Sequence, residues 1–286
     1  MTAQILDGRA LAKTISQEIA EEVAQFQEKH GWVPGIAVVQ IGEDPASSWY
    51  VRQIKKSFTK AGMRFELHTL PADADAEAFT MLLARLNHDP RTNGIIVQMP
   101  LPKHLPSHLV TDVLDPQKDV DGIHPLNAGK LFQQSGDTFA PATPLGGMEI
   151  LHRYNIELKG KHAVMVGRSN IVGRPMALLM LHEHATVTIC HSRTRDLAAM
   201  TKQADILVAA VGKPKIITAE MIRPGAVVID FGVNVVDGKL VGDVDTEAAM
   251  EVAGYITPVP GGTGPMTNVM LMRNTLVAAK RQTGQA

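Results

Sequence analysis

The stretch that decides the fold is His162-Ala163-Val164-Met165-Val166, followed without a break by Gly167-Arg168-Ser169-Asn170-Ile171-Val172-Gly173. A short apolar run that ends on glycine reads as a buried parallel strand, and the pattern over 173–183 reads as a helix. A strand passing through a glycine turn into a helix is the setting in which a dinucleotide phosphate is held. The turn departs from the usual G-x-G-x-x-G, because Ser169 takes the place of the middle glycine and the spacing is one residue longer. The first glycine still permits a tight turn, and amides at a helix N-terminus can still face a phosphate. Taken alone, the turn is explained equally well as a plain glycine-rich connection.

Its surroundings favour the cofactor. Downstream lie TVTIC (186–190), a helical pattern over 195–203, ILVAAV (206–211) and AVVID (226–230). This βαβαβ series with a further strand predicts a Rossmann-type, doubly wound parallel sheet. The end of its second strand selects the nucleotide. An NAD-type site carries Asp or Glu there to hold the ribose hydroxyls. Here the chain continues Cys190-His191-Ser192-Arg193-Thr194, with a hydroxyl and a guanidinium but no carboxylate. With Arg168 as a second charge, that set suits a 2′-phosphate and predicts NADP. The competing reading makes Arg193 and Arg195 solvated charges at the start of a helix.

Upstream, the same alternation repeats. Asp7 can cap a helix reaching Lys29, and GIAVVQI (35–41) reads as a strand. A turn over 42–45, a helix over 46–61 and a strand over 65–70 follow. A helix over 76–86 then leads to a third strand, GIIVQM (94–99). Segment 100–145 carries many turn formers and reads as loop, with a short helix near 107–114. A second unit opens near Thr143, and the last helix runs from about Pro265 to Arg281. The fold class is α/β, an N-terminal α/β domain plus the Rossmann-type domain.

Composition excludes several functions. Of 286 residues, 28 are Lys or Arg and 29 are Asp or Glu, giving a net charge of -1. That balance argues against a nucleic-acid coat, and 45% hydrophobic residues argue against disorder. The single cysteine, Cys190, forms no intrachain disulfide, which points to a reducing cytoplasmic setting. Asp7, Arg9 and Lys13 interrupt the first apolar stretch, which reads as no signal peptide. No apolar run is long enough to predict a membrane span. The histidines are scattered, and His182 and His184 do not share a helix face, so no metal site is expected.

Two loops carry candidate chemistry. In Lys118-Asp119-Val120-Asp121-Gly122, the carboxylates can be metal ligands, or one substrate anchor plus one structural cap. The second reading is preferred because matching ligands are absent nearby, and an Asx-turn competes with both. Thr257-Pro258-Val259-Pro260-Gly261-Gly262-Thr263-Gly264-Pro265-Met266-Thr267 is stiff, yet it lets a planar ligand approach the backbone. A plain connection to the last helix is the alternative.

Taken in order, these motifs resemble the bifunctional methylenetetrahydrofolate dehydrogenase/methenyltetrahydrofolate cyclohydrolase family. The resemblance covers nearly the whole chain. It rests on Pro45-Ala46-Ser47 with Tyr50-Val51, Val97-Gln98-Met99-Pro100-Leu101-Pro102, residues 118–122, Pro141-Ala142-Thr143-Pro144, residues 167–175, residues 190–194, Val241-Gly242-Asp243-Val244, and residues 257–267. It implies a folate-binding catalytic domain over 1–142, completed by a C-terminal helix (265–286) that packs back on it, and an NADP-binding domain over 143–264. A tetrahydrofolate derivative is the implied substrate and a homodimer the implied assembly, with neither nucleic acid nor membrane as a partner. Tyr50, Gln98 and Asp121 are the implied catalytic residues. Tyr50 stacks on or orients the folate, Gln98 sits beside the reacting carbon, and Asp121 holds the pterin edge. Val97, Met99, Pro260, Gly261, Gly262, Gly264 and Pro265 complete the substrate-binding set. Gly167, Arg168, Ser169, Ser192, Arg193 and Val233 contact NADP.

One position departs from the pattern in a way that bears on chemistry. The family reads Tyr-Val-x-x-Lys, and here Tyr50-Val51-Arg52-Gln53 is followed by Ile54. On a helix of ~100° per residue, Ile54 lies ~40° from Tyr50 and shares its face. Lys55 and Lys56 lie ~140° and ~120° away. The family lysine is tied to water addition, where an ammonium moves a proton or polarises the water, and isoleucine does neither. The sequence leaves open a dehydrogenase with weak or absent cyclohydrolase, an engineered lysine variant, and a paralogue with another substrate. A folate- or nucleotide-binding protein without catalysis is the alternative from another class. Met99 for leucine, Phe231 before Gly232 and Thr263 for valine are smaller departures with no expected loss of binding.

Overall fold

The computed structural model describes residues 2–42 and 45–284, and side chains for these apart from 45–47. The turn expected across Glu43 and Asp44 lies outside the described residues. The chain opens with β1 (Gln4–Ile5) and α1 (Gly8–His30). Next come β2 (Gly35–Ile41), α2 (Pro45–Lys60), β3 (Arg64–Leu70), α3 (Ala76–His88), β4 (Gly94–Val97), α4 (His108–Val113) and α5 (Pro125–Gln133). Then follow α6 (Ala142–Arg153), β5 (His162–Val166), α7 (Gly173–His182), β6 (Thr186–Cys190), α8 (Leu197–Thr201), β7 (Ile206–Ala209) and β8 (Val227–Asp230). The chain closes with β9 (Asn234–Val236), β10 (Lys239–Val241), α9 (Thr246–Ala249), β11 (Tyr255–Ile256) and α10 (Thr263–Gln282). It divides into two compact units, Thr14–Ala142 with Asn268–Ala286, and Met1–Lys13 with Thr143–Thr267.

In the first unit, β3, β2 and β4 form a parallel sheet in that order. Six of the seven β2 residues are buried, as a strand covered on both faces requires. One cover is α3, whose Phe79, Leu82, Leu83 and Leu86 pack with Ala37, Val39, Ile95 and Val97. Asp75 starts that helix by accepting from the Ala78 amide at 2.8 Å. Val51, Ile54 and Phe58, spaced for one helical face, are the buried ones among the described side chains of α2. The later turns of α10 complete the unit. Asn274 Nδ2 donates to the carbonyls of Val120 (2.8 Å) and Ala140 (3.2 Å), and Lys280 pairs with Glu22 at 2.6 Å. Two expectations need correction. The third strand ends at Val97 rather than at residue 99, and the segment read as loop contains α5. Pro125 there is a first-turn residue whose missing amide leaves no bond unmade, so a residue read as a turn former starts a helix.

In the second unit, six strands form one parallel sheet in the order β1-β11-β8-β7-β5-β6. Its core gathers Val164, Val166, Leu207, Val228 and Ile256. The first thirteen residues belong here rather than with 14–142, because Gln4 and Ile5 pair with Tyr255 and Ile256 as an edge strand. Two residues are too few to show a period. The helix expected over 195–203 shortens to α8, since the Asp196 side chain accepts from the Ala199 amide at 2.9 Å and starts it late. The β9–β10 hairpin turns on Asp237-Gly238, both at positive φ, a dipeptide suited to such a turn.

Both sheets have a place where the strand order reverses. It falls between β2 and β4 in the first unit and between β5 and β7 in the second. Ligands of open parallel sheets bind outside the carboxyl ends of the strands at these points.

Candidate active site and cofactor site

The carboxyl end of β4 positions the first set. The Gln98 amide donates to the Val39 carbonyl at 2.9 Å, so this half-buried residue sits at the reversal between β2 and β4. A parallel bridge between Ile95 and Asp119 lays the 118–121 segment beside β4. The chain turns just past that bridge, with the Gly122 amide donating to the Asp119 carbonyl at 3.2 Å, and Asp121 lies in this turn. Gln40 Nε2 donates to Ser48 Oγ at 3.3 Å, tying the first turns of α2 to the end of β2. Tyr50 follows on that helix, and the Asp121 charge is felt at its phenol. Tyr50, Gln98 and Asp121 therefore converge on one end of the sheet.

The two carboxylates of the Lys118–Gly122 loop have different surroundings. Asp119 is fully buried and accepts from the amides of Ile123 (3.0 Å) and His124 (2.8 Å) and from Asn127 Nδ2 (2.8 Å). It caps its own loop. For Asp121, burial, with a further push from the charge of Asp119, raises the carboxyl to about 7. Tyr50 is pushed up as well, first by burial and then by Asp121, so its phenol keeps its proton. Lys118 serves elsewhere, donating to the Leu86 (3.1 Å) and Asp89 (2.8 Å) carbonyls at the end of α3.

Ile54 is fully buried on the inward face of α2, one turn after Tyr50, while Lys55 and Lys56 are exposed. No ammonium of this helix occupies the Tyr50 face among the described side chains. The Val97 side chain lies in the core with Val39 and Ile95, so a ligand contact at this position falls to its main chain. Met99, by contrast, is exposed.

In the second unit the Gly167 turn sits at the reversal between β5 and β7. Gly167 has φ +133°, and a Cβ on it would strike the Ala210 carbonyl just beyond β7, so only glycine fits. The first-turn amides of α7 differ from expectation. Ser169 Oγ accepts from the amides of Val172 (3.1 Å) and Gly173 (3.2 Å), and the Ser169 carbonyl accepts from Arg174 (3.0 Å). These three amides are engaged by Ser169 rather than turned to a phosphate, and the serine keeps its own O–H as a donor. Beyond β6, the His191 amide donates to Thr194 Oγ1 (2.9 Å) and the Arg193 amide to His191 Nδ1 (3.1 Å). That turn leaves Ser192 and Arg193 exposed, as are Arg168 and Val233. Hydroxyls and guanidinium groups without a carboxylate at the end of β6 fit a nucleotide carrying a 2′-phosphate.

The Pro-Gly-Gly loop is fastened at several points. The Arg9 amide donates to the Gly261 carbonyl (2.9 Å), and the Gly262 amide to the Pro258 carbonyl (2.8 Å). Pro260 and Gly264 are exposed, Gly261 and Pro265 half-buried. Gly262 is buried, and a Cβ on it would strike Thr257 and the Pro258 carbonyl, so the loop can close here only on glycine. Helix α10 starts at Thr263, so Gly264 and Pro265 belong to its first turn.

The roles of two buried carboxylates escaped sequence reasoning. Asp230 accepts from the amides of Gly232 (2.7 Å), Asp243 (3.1 Å) and Val244 (2.9 Å), and burial pushes its carboxyl up to about 6. Asp243 accepts from the amides of Val211 (2.6 Å), Gly212 (3.0 Å) and Lys213 (2.9 Å) and from Asn234 Nδ2 (3.0 Å). A polar residue closing the apolar run AVVID was the only signal for the first. Among the described residues, no cluster of His, Cys, Asp and Glu could hold a metal ion, and no helix is long and apolar enough to cross a membrane.

A glycine turn at the switch point of a parallel sheet, flanked by phosphate-matching donors, defines a dinucleotide-binding α/β protein with a second α/β unit. The family description "tetrahydrofolate dehydrogenase/cyclohydrolase, catalytic domain" matches residues 6–121, and that of its NAD(P)-binding domain matches residues 141–283. A bifunctional protein FolD of Roseiflexus castenholzii is 55% identical, with 99% of this chain and 98% of that protein covered. The FolD crystal structure from Campylobacter jejuni has a TM-score of 0.95 at 42% identity, covering 98% of this chain and 99% of that one. Trypanosoma brucei FolD, complexed with NADP cofactor and inhibitor, also gives 0.95, at 38% identity over 100% of both chains. The chain belongs to the tetrahydrofolate dehydrogenase/cyclohydrolase family.

Proposed function

We propose that this protein oxidises methylene-tetrahydrofolate to methenyl-tetrahydrofolate with NADP+ in one-carbon metabolism. The convergence of Tyr50, Gln98 and Asp121 at the carboxyl end of the first sheet carries this reading. Bound NADP+ supplies the hydride acceptor. Asp121 accepts hydrogen bonds from the polar edge of the pterin, and Tyr50 orients the ring. The Gln98 carboxamide lies beside the carbon that gives up hydride. Hydride transfer asks mainly for placement of two rings, which these groups supply without a lysine. The following step, water addition to the methenyl carbon, is weak or lost, because Ile54 stands buried where the family carries an ammonium. Absorbance of the reduced cofactor, with methylene-tetrahydrofolate and NADP+ supplied, tests the reading. No turnover, with both ligands still binding, would leave only a folate- and nucleotide-binding protein.

Cofactor choice gives a second test. Arg193→Ala or Arg168→Ala should weaken NADP+ by about tenfold to a hundredfold and leave NAD+ nearly unchanged, the range expected for charge-assisted hydrogen bonds. Equal losses for both nucleotides in titrations would show that these arginines do not read the phosphate.

The protein is further taken to act as a cytoplasmic homodimer. Supporting this, Val235 and Leu240 lie opposite each other on β9 and β10, and both are exposed. Such an apolar pair on a short hairpin suits burial against a second copy. Light scattering should give twice the chain mass for the unmodified protein and one chain mass for Val235→Glu. A monomer at micromolar concentration before any substitution would refute the assembly.

A further inference from the structure

We propose that Asp243, working with Asp230, is a positioning residue for the nicotinamide half of the dinucleotide, setting the loops that border it without touching it. The proposal rests on the NADP reading above. In the strand order β6-β5-β7-β8-β11, the Gly167 turn closes β5, and Ser192 and Arg193 follow β6 on one side. If those residues face the adenine-side phosphate, the nicotinamide half must extend the other way, across the ends of β7 and β8. Three segments border that region. They are residues 211–213 after β7, 231–234 after β8, and 257–263 after β11.

The two aspartates, by side chain and main chain, join all three. One Asp243 oxygen accepts from the Val211 and Gly212 amides, and the other from the Lys213 amide and Asn234 Nδ2. Asp243 thus binds the segment after β7 to the segment after β8. The Asp230 side chain takes the amides of Gly232, Asp243 and Val244. Its main chain reaches the Pro-Gly-Gly loop, with the amide donating to Thr257 Oγ1 (2.8 Å) and the carbonyl accepting from Thr263 Oγ1 (2.9 Å). Both side chains are fully buried. Buried carboxylates are tolerated only where donors converge on them, and here the donors come from segments that the sheet pairing leaves unaligned. An asparagine at 243 has one acceptor oxygen, and its amide N–H would point at donors. One side of the clasp would open while the fold's apolar core stayed intact.

The test separates the two halves of the cofactor, using 2′,5′-ADP for the adenine side and NADP+ for the whole, with binding followed by calorimetry. Asp243→Asn should bind 2′,5′-ADP as the unmodified protein does, bind NADP+ roughly tenfold or more weakly, and keep its preference for NADP+ over NAD+. Unchanged NADP+ binding, or equal loss of both probes in a folded variant, overturns the proposal. Should Asp243→Asn fail to fold, Asn234→Ala decides by the same comparison, since Asn234 is only half-buried and gives one bond to the clasp. If the unmodified protein does not bind NADP+, the cofactor reading falls and this proposal with it. If it does, and both variants match it, the positioning role alone is refuted.

Discussion

Replacing Ile54 with lysine should raise methenyl-tetrahydrofolate hydrolysis by about 10²–10⁴-fold over the unmodified protein, the usual worth of general acid–base assistance. Ile54 lies one turn after Tyr50 on the inward face of α2 and is fully buried. A lysine there inherits that direction. Its stem fills part of the isoleucine volume, and its ammonium can extend toward the Tyr50 end of the helix. NADP+ binding should change little, since Ile54 belongs to the other unit. Stability should fall, because burying a large aliphatic side chain contributes about 1.5–3 kcal/mol and an ammonium in low dielectric recovers little of it. At about 2–4 °C per kcal/mol for a chain of this class, the melting temperature should drop by several degrees. The readout is methenyl-tetrahydrofolate consumption corrected for spontaneous hydrolysis. Rapid hydrolysis by the unmodified protein, stopped by Lys55→Ala or Lys56→Ala, would transfer the role to an exposed neighbour and sink this expectation.

The same helix shows what periodicity makes legible. Three buried residues at spacings of three and four define its inward face, so the ~100° step placed Ile54 correctly and kept Lys55 and Lys56 off it. Strands β2 and β5 were readable because fully covered parallel strands are continuous apolar runs. Val97 and Gln98 show the same rule at work. Neighbours in a strand face opposite sides, so the Val97 side chain enters the core while Gln98 next to it is half-buried. The edge strand β1 was too short to carry a pattern. The clasp of Asp230 and Asp243 was illegible for a different reason. Their partners at 211–213, 232–234 and 244 meet only after the sheet is formed, and no local spacing announces them. Ser169 reads as a phosphate contact by position, and its Oγ in addition accepts the Val172 and Gly173 amides, because a serine just before a helix competes for the first amides.

Removing Asp121 should cost the folate step far more than the cofactor step. Two hydrogen bonds from a pterin edge to an ionised acceptor are worth about 3–5 kcal/mol together, so Asp121→Ala should lower kcat/KM for methylene-tetrahydrofolate by roughly 10²–10⁴-fold. NADP+ affinity should stay within a few-fold. The pH dependence is the sharper test. Burial and the neighbouring Asp119 raise the Asp121 carboxyl to about 7, so most of the free protein holds a proton there at pH 6. Only the ionised form accepts two hydrogen bonds, and the apparent folate affinity scales with its fraction. KM for the folate should therefore fall about tenfold between pH 6 and pH 8, and the slope should vanish in Asp121→Asn. Stability runs the opposite way. A carboxyl whose folded pKa lies above its unfolded value stabilises the fold below about pH 4 and loses that contribution as pH rises through about 7. Folate binding, which selects the ionised form, should offset this loss, so the thermal shift on adding folate should grow from pH 6 to pH 8. A folate KM that is flat across this range, with an unaltered thermal shift, would reduce Asp121 to a loop residue and leave Tyr50 and Gln98 without their anchor.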